Sequence, residues 1–127
     1  GVPAANDRSE PVAQPIGPFG IMGGFMQPQA HVQYVLRTVL HGQNPQAALD
    51  APRWQWMKAL ELQLEPGWPQ ATIDGLRARG HQVTLATEKS VTFGRGHAIA
   101  RLATADAGAP VLCGASDLRG DGVAAGR

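Results

Sequence analysis

The chain has 127 residues, enough for one domain with its own core, and its charge is nearly balanced at 11 Lys and Arg against 10 Asp and Glu. It carries no basic run, no interleaving of aromatic with basic residues and no apolar run near the ~18 residues of a membrane helix. Nucleic acid, an anionic membrane surface and membrane insertion are therefore excluded as expectations.

Residues 1–16 are rich in Pro, Ala, Asn and Ser without a period and read as an extended arm or linker, leaving 17–127 as the folded part. The start has neither the basic end nor the apolar core of a signal peptide, and both a cytoplasmic and a periplasmic location stay open. A short strand is expected at 19–22. Val32, Val35, Leu36, Val39 and Leu40 then recur at helical spacing, which predicts an amphipathic helix over 29–41 stopped by Gly42. Asn44 as cap and Pro45 in the first turn open a second, short helix that Pro52 ends. Residues 53–56 run toward an alternating strand at 60–64. Pro69 introduces a third helix to about Arg79, with Gly80 as its terminator. Strands are expected at 81–87, 96–103 and 110–115, the last two joined by a hairpin loop at 106–109. The order is that of an α+β fold with two or three helices packed on a mostly antiparallel sheet. Such a half-sandwich leaves sheet edges to be covered by other chain.

The chemistry-bearing residues are sparse. His31, His41, His81 and His97 have no metal-ligand spacing, and the single cysteine, Cys113, excludes an internal disulfide and reads as a small buried hydrophobe. No metal or organic cofactor is expected. Ser9, Ser90 and Ser116 lie in loop-like contexts without a base, and Gly1 offers no nucleophilic N-terminal side chain. Asp50 and Asp117 suit a turn or a structural ion pair, while Glu61 and Glu65 fall on the polar face of a strand. Trp54, Trp56 and Trp68 suit packing. What remains is the Gly23-Gly24 pair ahead of a helix. Locally it has two readings: a turn needing positive φ, which is the commoner use, or free backbone amides facing an anion or a developing oxyanion.

The strings MGGFMQPQAHVQ, GQNPQAALDAPRW, LEPGWPQATIDGLRARGHQV, FGRGHAIAR and GASDLRGDGVAAGR, in this order, resemble the γ-glutamyltransferase family, and most closely its γ-glutamyltransferase-like and cephalosporin-acylase-like branch. The resemblance covers about residues 17–127 and resembles the C-terminal part of the small subunit. It implies half of the αββα sandwich of an N-terminal-nucleophile hydrolase. It also implies a precursor that cuts itself, so that a new N-terminal threonine attacks a small γ-glutamyl or acyl amide. That threonine would precede this chain, whose own contribution would be the oxyanion-hole amides of Gly23 and Gly24. The partner implied is the remainder of the precursor, namely the large subunit and the start of the small one, in the same polypeptide or in trans. The family's better-known transpeptidases carry a small polar residue after the glycines, where this chain has Phe25-Met26-Gln27-Pro28. Two other functions stay open. One is a non-catalytic binding or assembly module that self-associates through exposed sheet edges. The other is an unrelated α+β domain binding an anion at Gly23-Gly24.

Overall fold

Residues 15–103 and 110–126 are described by a computed structural model of the chain; the loop expected at 106–109 and nearly all of the arm at 1–16 lie outside them. Among the described residues the chain order is β1 (Phe19–Met22), α1 (Gln27–Val35), α2 (Pro45–Asp50), β2 (Trp54–Lys58), β3 (Glu61–Leu64), α3 (Gln70–Ala78), β4 (Gln82–Leu85), β5 (Arg95–Leu102) and β6 (Val111–Ser116). The fold is α+β, with three helices and two three-stranded sheets.

One sheet has the order β1-β5-β6 and is antiparallel throughout, with Ile21 opposite Gly96 and Met22 opposite Arg95. Strand alternation turns Ile21, Ala98 and Ala115 inward, where they pack with Met26, Leu49 and Phe93 in the main core. The small residues matter here: α2 sits close on this sheet because Ala48, Ala98 and Ala115 leave it room.

Three of the four strand pairings are antiparallel, as expected, but they fall in two sheets rather than one. β2, β3 and β4 form a second sheet, in which β3 and β4 run parallel. α3 provides the crossover that parallel neighbours require. β2 is a strand that periodicity did not reveal. Its hairpin to β3 turns at Ala59, at φ 44, without the glycine or asparagine that usually marks such a turn.

The helix expected over 29–41 begins earlier and changes type. α1 ends at Val35 and a π-helical turn spans Leu36–Leu40, with the His41 N–H reaching Leu36 O at 3.1 Å. Its apolar stripe does not face the core: Val39 and Leu40 are 59% and 71% exposed, whereas Ala30, Gln33 and Tyr34 point inward. Burial of Gln33 has a clear cause. Its amide accepts from Trp54 N at 3.0 Å and donates to Trp54 O at 2.8 Å, and Gln29, one turn earlier, does the same with Trp56 at 2.6 and 3.2 Å. Two glutamines thus hydrogen-bond along the edge of β2 as a neighbouring strand would. Gln46 repeats the device at β6, donating to Ser116 O at 2.8 Å and accepting from its N–H at 3.1 Å.

Candidate functional site

Gly23 and Gly24 form the link between β1 and the helical stretch that opens α1. Gly23 has φ 157 and Gly24 has φ 58, so the chain leaves the strand through a left-handed step that favours glycine. The two residues differ in surroundings. A Cβ on Gly23 would lie 3.1 Å from Gly94 Cα and 3.3 Å from Met26 Cβ, while one on Gly24 would meet nothing within 4 Å. Gly24 is exposed and Phe25 beside it is 98% exposed. The Gly23 carbonyl accepts from Met26 N at 3.0 Å, and among the described residues no turn or loop bond uses the Gly23 or Gly24 N–H. The turn is therefore rigid behind and open in front, with the leading amides of a helical stretch unspent.

What makes it rigid lies one layer deeper. Arg53 follows α2 and is 3% exposed; its Nη1 donates to Phe93 O at 3.0 Å and Gly94 O at 2.7 Å. Its Nη2 meets Asp117 Oδ2 at 2.6 Å. The other Asp117 oxygen accepts from Arg119 Nη1 and from the Arg119 N–H, both at 3.0 Å. Arg119 in turn forms a two-pronged pair with Glu65, through Nε at 2.6 Å and through Nη2. Two guanidiniums and two carboxylates thus neutralise each other in the interior, and backbone groups of Leu49, Ala51, Arg53 and Gly96 fill the remaining directions.

Burial works to raise the Asp117 carboxyl, but the Arg119 N–H and the two guanidiniums outweigh it and hold it below the ordinary carboxylate value. Burial lowers Arg53, helped by the neighbouring Arg119 charge, against the pull of Asp117 and Glu65. For Arg119 burial also acts downward, yet its bonds to Glu65 and Asp117 win and raise it. Each carboxylate oxygen in this cluster is already used. The cluster is a brace joining the two sheets, not an acid–base pair.

In front of the brace, the outer face of the β1-β5-β6 sheet carries Met22, Arg95, His97 and Ser116. The segment after Asp117 runs across this face. A Cβ on Gly120 would lie 2.0 Å from Arg95 Cδ, and one on Gly122 would lie 2.6 Å from Ser116 Oγ and from His97 Cε1. The Ser116 hydroxyl is buried there without a hydrogen-bond partner.

Several expectations change. Glu65, assigned to a polar strand face, is 1% exposed and belongs to the brace, because Arg119 makes its burial affordable. Asp117 is the expected ion-pair residue, whereas Asp50 accepts a side-chain bond from Gln46 at 2.9 Å. Cys113 is half-buried rather than buried. Trp54 and Trp68 line a cavity of about 360 Å³ under α3, while Trp56 is half exposed. His31, expected to be merely helical, accepts the Ile21 N–H on Nε2 at 3.0 Å and so closes the edge of β1 beside the glycine turn. Among the described residues no cluster of three or more potential metal ligands occurs.

The family model described as gamma-glutamyltranspeptidase matches residues 11–127. The chain is 32% identical over 113 residues to the glutathione hydrolase-like YwrD proenzyme of Bacillus subtilis, covering 85% of this chain and 21% of that protein. It is 34% identical over 113 residues to the oxamate amidohydrolase proenzyme of Klebsiella pneumoniae, covering 85% and 20%. The structure superposes on cephalosporin acylase from Bacillus halodurans with TM-score 0.75 and 48% identity, over 85% of this chain and 19% of that one. An acivicin-inhibited gamma-glutamyltranspeptidase gives TM-score 0.71 and 25% identity, over 84% and 54%. The chain thus spans about a fifth of the length of the two proenzymes.

Proposed function

The chain belongs to the gamma-glutamyltranspeptidase family, and on that premise we propose that it supplies the oxyanion hole of an amide-cleaving or acyl-transferring enzyme. Its similar proteins are larger proenzymes, so it pairs with the rest of a gamma-glutamyltranspeptidase-like chain. In this reading residues 17–127 are the C-terminal part of the small subunit and contribute one helix layer and part of a sheet to an αββα sandwich. The nucleophile is an N-terminal threonine outside this chain. Its hydroxyl adds to the amide carbonyl and gives its proton to the threonine's own α-amine, which passes it to the departing amine, while the oxygen that becomes negative is held by the Gly23 and Gly24 amides. The carbonyl re-forms as the amine leaves, and water or an acceptor amine then resolves the acyl ester. No metal or organic cofactor is needed. Catalysis would come from amides already fixed in place, which cost no reorganisation as charge develops.

The observation that carries this reading is the asymmetry of the turn, packed against Gly94 on one side and open at Gly24 on the other. The outward stripe of Val32, Val39 and Leu40 supports the pairing with further chain, since an isolated helix would turn those residues inward. The test is reconstitution with the remainder of the precursor, followed by hydrolysis of γ-glutamyl-p-nitroanilide and acyl-p-nitroanilides. Activity that falls by about tenfold or more in Gly24→Ala, in a variant that stays folded at the assay temperature and loses no more than about 1 kcal/mol of stability, supports the oxyanion role. Full activity in that variant removes it.

A further inference from the structure

One side chain closes the glycine turn at the edge of β1 that faces away from β5. His31, on the second turn of α1, accepts the Ile21 N–H on Nε2 at 3.0 Å, from a residue ten positions back in the chain. This bond joins the strand that enters the turn to the helix that leaves it, with Gly23 and Gly24 inside the loop. Ile21 is fixed on its inner side as well. It is 2% exposed and fills the space at Gly94 and Gly96, where an added Cβ would stand 2.8 Å from its side-chain carbons. The His31 ring is steadied by Phe19, which it meets edge-on with centroids 5.4 Å apart.

Two other strand edges are closed differently. Gln29 and Gln33 on β2, and Gln46 on β6, each use an amide that both donates and accepts and does not titrate. Beside the turn the closing group is an imidazole that accepts. Accepting on Nε2 requires the neutral ring with its proton on Nδ1, because a protonated ring has no free lone pair. Imidazole is also the side chain whose charge changes between about pH 5 and pH 8. A proton taken up on Nε2 sets N–H against N–H and opens the loop. Among the described neighbours, β1 and the turn carry no titratable side chain. Tyr34 on α1 stacks on Phe19 at 4.7 Å, and burial holds its hydroxyl above the ordinary value, so it stays neutral in this range. β5 brings Arg95 opposite Met22 and His97 opposite Gly20, and the His97 ring lies against Gly122 on the outer face.

Resting on the reading above, we infer that His31 is a positioning residue for the oxyanion turn and acts only as the neutral Nδ1–H tautomer. It does not touch substrate. It holds the exit of β1 against α1, so that the Gly23 and Gly24 amides keep one orientation as charge develops in front of them. Protonation of the ring releases that hold, and activity is lost on the acid side through the turn as well as through the nucleophile.

The experiment uses the full enzyme, this chain together with the remainder of its precursor, as wild type, His31→Gln and His31→Ala. A glutamine places Oε1 about where Nε2 stands and accepts without titrating. Amide exchange, resolved to single residues and corrected for the intrinsic rate at each pH, is followed at Ile21 and at Met26, whose N–H bonds Gly23 O at 3.0 Å across the turn. In the wild type both should lose about tenfold in protection between about pH 7.5 and about pH 5. His31→Gln should keep both protected at either pH, and His31→Ala should lose them at both. Unchanged protection in the wild type overturns the inference, as does a pH step that survives in His31→Gln and so belongs to another group such as His97. A change at Ile21 that leaves Met26 untouched also overturns it. Hydrolysis of the p-nitroanilides is then followed over the same range. His31→Ala should lower kcat by about tenfold with KM little changed, while His31→Gln should restore kcat and make the acid limb shallower by one proton. A kcat indifferent to His31 in a cleaving enzyme would count against the positioning role. Exchange that follows His31 in an enzyme that cleaves no anilide would refute the proposed reaction and leave the hold on the turn standing.

Discussion

Arg53 Nη1 donates to Gly94 O at 2.7 Å, and Gly94 is the residue whose Cα stands 3.1 Å from where a side chain on Gly23 would begin. A buried charge is thereby coupled to the position of the candidate oxyanion amides. Arg53 is held in turn by Asp117, so removing one charge of this pair leaves the other buried and unmatched. Asp117→Asn is expected to destabilise the fold by about 3–5 kcal/mol in urea unfolding. A loss below about 1 kcal/mol would mean that solvent reaches the brace and that it does not fix the turn.

The same carboxylate sets an acid limit. Asp117 titrates below its ordinary value in the folded chain, so its contribution is fully present above the unfolded pKa of about 3.9 and is lost as pH falls through the folded pKa. Unfolding free energy measured from pH 7 down to pH 3 should therefore drop on the acid side of about pH 4. Asp117→Asn should flatten that limb while lowering the plateau. An unchanged slope in the variant would assign the acid sensitivity to other groups.

The two glycines of the turn should respond differently to alanine. At Gly23 a methyl group meets Gly94 Cα at 3.1 Å and Met26 Cβ at 3.3 Å, both in packed chain. At Gly24, with φ 58 and open space, only the backbone preference is lost, about 1 kcal/mol. Gly23→Ala is expected to lower stability by about 2 kcal/mol or more, and Gly24→Ala by roughly half of that. Thermal melts of the pair decide it, and equal losses would contradict the packing of Gly23 on Gly94.

Much of this was legible in local sequence. Asn44 caps α2 as its spacing implies, its Oδ1 accepting from Ala47 N at 2.8 Å, and β1 occupies the residues expected of it. The features that escaped depend on partners distant in the chain. Glu65 looks like any polar strand residue until Arg119, 54 positions later, arrives beside it. The stripe on α1 has a sound helical period, but period alone does not say whether a face meets this chain's core or another part of a larger protein. β2 lacks both alternation and a glycine turn, and α1 glutamines rather than a strand occupy its free edge. For Gly23 and Gly24, local residues allow two roles, and the proposed one draws on motifs spread over residues 17–127 rather than on the turn itself.

Those glutamines supply the last prediction. Gln33 is 5% exposed and satisfies both the N–H and the C=O of Trp54, while Gln29 makes the equivalent bonds to Trp56 at an exposed position. Replacing Gln33 by Leu keeps much of the volume but strands two half-buried backbone groups. The expected cost is about 2–3 kcal/mol. Gln29→Leu removes the same number of bonds where water can replace them, and should cost about 0.5–1 kcal/mol. Because both amides grip one strand edge, the double variant should lose less than the sum of the singles. Amide exchange at Trp54 gives a direct reading: its protection should fall in Gln33→Leu and stay nearly constant in Gln29→Leu. If the two single variants proved equally costly, the edge of β2 would be open to solvent along its whole length, and the tie between α1 and the second sheet would rest on packing instead.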